Sequence, residues 1–426
     1  MQVLFSSRQT NLFEQFANPH FKISEDYQII DQVLNNEKII MRLAKDFPDT
    51  VIGRKRTAIE QTLRFLVLKH QKGLDYRSLA RTLQVNLEDR WFCKIGSGDN
   101  PCFKTIQNQL SCITEETAKA INDQIMQEAR KRKLTKGKRM RVDSTVTESN
   151  IHYPTDASLI SDCVKIITKT LTKFKIVPKG YRNFKRKIKK QIFKIRNIGR
   201  KNKVARDKAI GEMVKMGKTV INKTKKIKKK IIKKQRQLLE KIVEQTEKVL
   251  AGEKIKDRIV SIFEPEARPI VKGKAGKICE FGHLVQVQED EKFITDWNVN
   301  NESDAKFFPK AIDKHKQLYG KPPKEVATDR GYYSQENVEY AKLAGVKHIS
   351  LPKKGKLKPE EKEFQSTRKF KQLQRWRAGG EAKISWLKRT YKLDRCLYKG
   401  ETGMSRWVGA GIIACNLATI AKATAG

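Results

Sequence analysis

The feature that most constrains this chain is a cation-dense stretch: from Lys165 to Arg236 there are 29 Lys or Arg against two acids, Asp207 and Glu212. Those 72 residues carry +27 of the chain's net +44. Cations at that density repel one another without phosphate nearby, so the stretch reads as a dedicated element facing a polyanion. Within it Ile227, Ile231, Leu238, Ile242 and Val249 step by four and seven, the seam of a long helix or coiled coil. Gly211 and Gly217 read as the bend between two antiparallel helices. Lys225, Lys226, Lys228, Lys229 and Lys230 are its candidate DNA contacts.

A length of 426 residues implies two or three domains, and 38% hydrophobic residues with 18 Phe and 5 Trp are enough to pack a core. Wholesale disorder is excluded. The seven cysteines are scattered, with no C-x-x-C pair, and read as reduced cytosolic thiols. The first residues lack the basic-then-apolar pattern of a secretory leader. Trp407 to Ala421 is the most apolar run, but it contains Asn416 and is shorter than the ~20 residues a bilayer needs. A buried C-terminal helix is expected there, and no membrane partner.

Apolar positions spaced by three and four, as in Ile59-Leu63-Leu66-Val67, make residues 1–134 a helical domain, punctuated by turn signals at Lys72-Gly73 and Ser97-Gly98. Asp75 to Leu83 fits the first helix of a helix-turn-helix. Pro101 to Leu110 fits a later helix presenting Lys104, Gln107 and Asn108 to base edges, although an ordinary helical core with a polar outer face has the same pattern. Lys138 to Thr147 alternates like a strand and opens a catalytic domain (135–160), which the basic insertion (161–257) interrupts and residues 258–426 complete. In that last part we expect strands at Ile259–Phe263, Gly282–Gln288, Lys292–Val299, Glu325–Asp329 and Val346–Leu351. Helices are expected near Ser303–Tyr319, from Ser334 and over Gln365–Tyr391. With the insertion lifted out this is an α/β plan with a mixed sheet, α+β overall.

Phosphoryl transfer on DNA is served by carboxylates holding divalent ions, commonly two Mg²⁺ about 4 Å apart. Asp143 lies on the first strand and Asp329 ends a later one, where ligand sites of α/β sheets gather. Glu381 shares a helical face with Arg377 and Lys388, a spacing that also suits a surface ion-pair ladder. Gly379 and Gly380 beside it suggest a close approach, or simply a helix start. His152 and His283 are poor ligands for a hard cation. Asp156 and Glu148 are rivals of Asp143, and Glu360, Glu361 and Glu363 belong to a charged, solvated loop.

Three blocks then carry a resemblance: Arg141-Val-Asp143-Ser-Thr-Val-Thr, Ala327-Thr-Asp329-Arg-Gly-Tyr-Tyr-Ser, and Arg377-x-x-x-Glu381 with Lys388 seven further on. Together they resemble the signature of DDE transposases of bacterial insertion sequences. The first block and the run Leu393-Asp-Arg-Cys-Leu-Tyr-Lys-Gly-Glu are most like the ISNCY-type group. The likeness extends from about Tyr76 over nearly the whole remaining chain. It implies a ribonuclease-H-like core, with Asp143, Asp329 and Glu381 as catalytic, metal-binding triad for Mg²⁺, and Mn²⁺ as substitute. It further implies cleavage and joining at transposon ends, using water and then a 3′-hydroxyl as nucleophile. Arg377 and Lys388 would hold DNA phosphates. The partners implied are terminal inverted repeats, target DNA and a second subunit, in a cytoplasmic protein that associates with the nucleoid. The competing readings are a metal-dependent nuclease without strand transfer and a non-catalytic basic nucleic-acid binder. One departure stands out: relatives carry Tyr three residues before the Arg, where this chain has Gln374. Trp376 or Tyr391 is left to stack on a base.

Overall fold

In the computed structural model, residues 3–6, 22–48, 57–96, 99–179, 181, 185–198, 202–255, 257–274, 277–299 and 302–425 are described. The turn signal at Ser97-Gly98 lies outside them. The chain opens with helices α1 (Glu25–Leu34), α2 (Glu37–Ala44), α3 (Ile59–Gln71), α4 (Tyr76–Val85), α5 (Leu87–Phe92), α6 (Phe103–Cys112) and α7 (Glu115–Lys131). Four of these starts are written in the sequence. Asn36, Asp75, Asn86 and Thr114 accept hydrogen bonds from the N–H groups of Lys38, Ser78, Asp89 and Thr117, donors that a helix's first turn otherwise leaves unpaired.

The chain continues through β1 (Arg139–Ser149), α8 (Asp156–Lys173), α9 (Lys185–Asn197), α10 (Lys203–Thr224) and α11 (Lys230–Leu250). Then come β2 (Arg268–Lys274), β3 (Lys277–Glu289), β4 (Ile294–Val299), α12 (Asp304–Tyr319), β5 (Glu325–Thr328), α13 (Gln335–Leu343) and β6 (His348–Ser350). It closes with α14 (Pro359–Ser366), α15 (Arg368–Ala378), α16 (Gly380–Thr390), β7 (Arg395–Cys396) and α17 (Gly400–Ala425). Two compact units result: Met1–Glu148 with Leu284–Gly426, and Ser149–His283.

In the first unit β3, β1, β5 and β6 are neighbours in that order, with β4 on β3 and β7 on β1. β1, β5 and β6 run parallel, whereas β3 and β4 are antiparallel. The sheet is mixed, as the alternation of strands and helices implied. Met140 and Val142 of β1 bury against Phe308 and Ile312 of α12, so the period of two leaves Arg141 and Asp143 on the opposite face. α17 packs on α1, α3 and α7, so the N-terminal helices share one apolar core with the C-terminal helix. α17 is long and apolar enough to cross a bilayer, yet 67% of its most apolar window is buried in protein. Asn416 explains its polar interruption: it donates to Asn122 Oδ1 at 2.8 Å and accepts from Ile294 N at 3.0 Å, tying α17 to α7 and β4.

The second unit is a helical bundle in which Ile160, Val164 and Ile167 of α8 pack with Val214 and Val220 of α10 and with Ile232, Leu239 and Val243 of α11. The buried seam of α11 therefore differs from the expected one: Ile231 is exposed and Ile232 is buried. Gly211 and Gly217 lie inside the continuous helix α10, not at a bend. A Cβ on Gly217 would sit 2.9 Å from Val243, so the glycine permits close packing of α10 on α11, and the bend is Lys225–Lys229.

Three further expectations are corrected. Ile259–Phe263 is not a strand, whereas β2 was not foreseen. The helix expected over 365–391 is divided, because Thr367 caps α15 and Gly379 separates it from α16. Glu360, Glu361 and Glu363 belong to helix α14, where Glu361 pairs with Lys353 at 2.7 Å.

Candidate active site

Parallel pairing of β1 with β5 sets Arg141 opposite Ala327 and Val142 opposite Thr328, so Asp143, midway along β1, and Asp329, just past the end of β5, follow side by side where the pairing of the two strands stops. Neighbouring strands are ~4.8 Å apart. Asp329 accepts from Gly331 N at 2.7 Å and caps the single turn Arg330–Tyr332, which follows directly on β5. Asp143 accepts from Ser144 N at 2.8 Å.

The third carboxylate comes from α16. Arg377, in the last turn of α15, places Nη1 3.4 Å from Asp143 Oδ2 and Nη2 3.8 Å from Glu381 Oε1. One guanidinium thus bridges two carboxylates that are 238 positions apart in sequence. Glu381 is 72% exposed and Asp143 only 16%, so the pair joins a solvent-facing group to a buried one. Burial raises the Asp143 carboxyl above the ordinary aspartate range, Ser144 N–H and Arg377 oppose that rise, and Asp329 and Glu381 add to it.

These residues are hard oxygen donors, and a Mg²⁺-like ion that keeps several waters needs only two or three of them. The donor set fits such an ion at Asp143 and Asp329, with Glu381 alongside. Among the described residues no three acidic, His or Cys side chains already converge on one point, since Arg377 stands between Asp143 and Glu381.

Two known families match parts of the chain. A transposase domain (DUF772) matches residues 15–109, and a transposase DDE domain matches residues 272–417. The chain belongs to the DDE transposases. No curated protein and no solved structure matches it. The family has a ribonuclease-H-like core and acts on DNA, cleaving and transferring strands with divalent metal ions. In this transposase the match to the DDE domain begins at residue 272 and includes Asp329 and Glu381 but not Asp143. Sheet pairing is what returns Asp143 to them.

Gly379 and Gly380 answer to a neighbour inside the transposase. A Cβ on Gly380 would sit 3.0 Å from Arg141 Nε. Arg141 donates to Trp376 O at 3.0 Å and to Glu289 at 2.9 Å, lying across the junction of α15 and α16. Burial raises the Glu289 carboxyl, and Arg141 pulls it back. Gln374 supplies the other brace. Its Nε2 donates to Thr328 O at 3.2 Å, Ser350 O at 3.0 Å and Ser350 Oγ at 2.9 Å, fastening α15 to the ends of β5 and β6. Neither aromatic named for stacking is free for it. Tyr391 is 2% exposed, and Trp376 lies beneath Arg141 and Arg139, 5.0 and 5.7 Å from its ring.

Sequence reading missed Asp304, at the start of α12. It accepts from Gln286 Nε2 at 2.9 Å and from Ser144 Oγ at 3.4 Å. A Cβ on Gly331 would lie 2.8 Å from Asp304 Oδ2 and 3.0 Å from Asp329 Oδ1, so a fourth carboxylate borders the site. Burial and Asp329 raise its carboxyl. Next to Ser303 at a helix start, its sequence signal is that of a cap.

The remaining candidates lie elsewhere. Lys388 is half-buried on α16. On α6, Lys104 and Asn108 are exposed and Gln107 is half-buried, while Ile106 and Leu110 face the core. Lys225, Lys226, Lys228, Lys229 and Lys230 are all exposed at the α10–α11 turn, with Lys229 Nζ 3.3 Å from the centre of the Phe174 ring. Asp156 pairs with Arg258 and Glu148 with Arg395, both at 2.7–2.8 Å. His152 faces Asp162 at 3.4 Å, and burial lowers the His283 pKa.

Proposed function

We propose that Asp143, Asp329 and Glu381 hold the divalent ions of this transposase, and that these are Mg²⁺, with Mn²⁺ able to replace it. The observation that carries this reading is that Asp143, within β1, and Asp329, just past β5, adjoin where the pairing of these parallel strands stops, with Glu381 linked to Asp143 through Arg377. Bound there, the ions would activate the attacking oxygen and offset charge on the leaving one. The chain's own part is placement. Gln374 and Arg141 fix the α15–α16 junction, and Arg377 presents a planar cation able to hold a phosphate oxygen once DNA enters. Lys388 would hold a phosphate further along α16.

The helices α4 to α6 would read the terminal repeats, with Lys104, Gln107 and Asn108 on the outer face of α6. The basic bundle would grip DNA or a second subunit, and the active species would be a dimer or higher oligomer on DNA in the bacterial cytoplasm. The first block and the C-terminal run support placement with the ISNCY-type group.

The test is Mg²⁺-dependent cleavage of DNA carrying the element's own ends, comparing the parent with Asp143→Ala, Asp329→Ala and Glu381→Ala. Loss of several kcal/mol of metal stabilisation predicts at least about a hundredfold slower cutting in each. Undiminished cutting in all three rejects the triad. Strand-transfer products separate a transposase from a simple nuclease.

A further inference from the structure

Beside the carboxylates, on the β5–β6 side, lies a cavity of about 690 Å³ between the Asp329–Arg330 turn, Pro352 after β6 and one face of α15. Its inner wall is Phe370, which is buried, and Gln374. Its rim carries Arg330, Lys371, Arg375 and Arg377, with Asp329 as the acid at one end. Lys371 and Arg375, four residues apart, project from the same face of α15.

The pairing of these cations is selective. Lys369, two positions before Lys371, pairs with Glu325 on the other side of the helix, and Lys353 pairs with Glu361. Arg330, Lys371 and Arg375 make no ion pair or side-chain hydrogen bond among the described residues, although each is exposed. Three unpaired cations held around one concavity repel each other unless an anion with several charged oxygens occupies it. A single inorganic anion would reach only part of a 690 Å³ space. A phosphodiester strand supplies both the repeated charge and base surface for an apolar wall.

We propose that this cavity is a strand channel: it binds the phosphodiester backbone of the DNA strand that flanks the phosphate at Asp329, through Arg330, Lys371 and Arg375. The proposal rests on the reading of Asp329 as part of the catalytic site, which gives the strand its direction. Arg and Lys contact successive phosphates, and Phe370 bounds the channel on its buried side.

The experiment uses the full chain in EDTA, so that binding is measured without chemistry, with a fluorescent 12-nucleotide oligothymidylate as the probe. Lys371→Glu with Arg375→Glu is compared with Lys342→Glu with Lys347→Glu, which changes net charge equally at the opposite end of β6. The channel predicts binding about tenfold weaker or more for the first pair and within about twofold of the parent for the second. Lys371→Arg with Arg375→Lys should restore affinity. Ultraviolet cross-linking of the same oligonucleotide should label the peptide spanning Gln365–Arg377, and the label should vanish in the first pair. Equal losses in both charge pairs, or cross-links confined to the Ser149–His283 unit, overturn the proposal. Displacement of the oligonucleotide by millimolar inorganic phosphate at constant ionic strength also overturns it, because the site would then hold a lone anion. Mg²⁺-dependent cleavage by the unaltered chain is scored separately, so failure of the triad and failure of the channel give different results.

Discussion

Arg377 Nη1 stands 3.4 Å from Asp143 Oδ2 while its Nη2 stands 3.8 Å from Glu381 Oε1, which places an organic cation between two carboxylates expected to share metal. A divalent ion at Asp143 therefore competes with the guanidinium. Arg377→Gln should leave Mn²⁺ affinity unchanged or raise it severalfold, while Asp143→Asn should lower it at least about tenfold, because one anionic ligand is removed. Electron paramagnetic resonance of free Mn²⁺ measures both without turnover. Weaker Mn²⁺ binding in Arg377→Gln would show that the arginine supports the metal site instead of occupying it.

Gly331 lies where a methyl group would meet Asp304 Oδ2 at 2.8 Å and Asp329 Oδ1 at 3.0 Å. Gly331→Ala should push Asp329 from its place, and displacement of a reacting group by about 1 Å costs on the order of a hundredfold in rate. Thermal unfolding should change little, since the turn faces solvent at Arg330. Cleavage rate and melting temperature, measured together, separate the two effects.

Gln374 bonds to carbonyls on both β5 and β6. Gln374→Leu keeps the volume and removes the donors, leaving buried acceptors unpaired at about 1–3 kcal/mol. Denaturant unfolding should register that loss, and cleavage should fall with it because Arg377 is carried on the same helix. Full activity in Gln374→Leu would remove the residue from the positioning of α15.

The five lysines at the α10–α11 turn are exposed, with only Ile227 between Lys226 and Lys228. Replacing all five by Gln should reduce the slope of log affinity against log salt by about 0.9 for each B-DNA phosphate that the turn no longer neutralises. Fluorescence anisotropy on duplex DNA across a salt series checks this. An unchanged slope would assign the turn to subunit association.

His315 is fully buried on α12, with Nε2 3.0 Å from Gly137 O and its ring against Tyr319. Burial lowers its pKa from 6.5 to about 4. Between those values the unfolded chain binds the proton and the folded one does not, so stability rises with pH across that window. The contribution is complete above 6.5 and lost as pH falls through about 4. It amounts to about 3 kcal/mol, at 1.36 kcal/mol per unit. Chemical denaturation of His315→Gln between those pH values should show a flatter profile than the parent.

The sequence by itself determined the local structure wherever one residue's chemistry is enough. Asp75 and Ser334 cap helices, β1 alternates about Asp143, and the uneven charge singles out the stretch from Lys165 to Arg236. Arg377 and Glu381 were legible as neighbours because they lie four positions apart, and Asp329 as the residue that follows a short strand. Tertiary structure alone decided what those residues meet. Strand pairing brings Asp143 beside Asp329 across the insertion, Asp304 enters from the start of α12, and Arg141 fills the space that Gly379 and Gly380 leave. It also decided which apolar face of α11 is buried, since a one-residue shift of seam depends on where α8 and α10 lie. Caps and alternation act over a few residues, whereas contacts between residues hundreds of positions apart exist only after the sheet and its helices have packed.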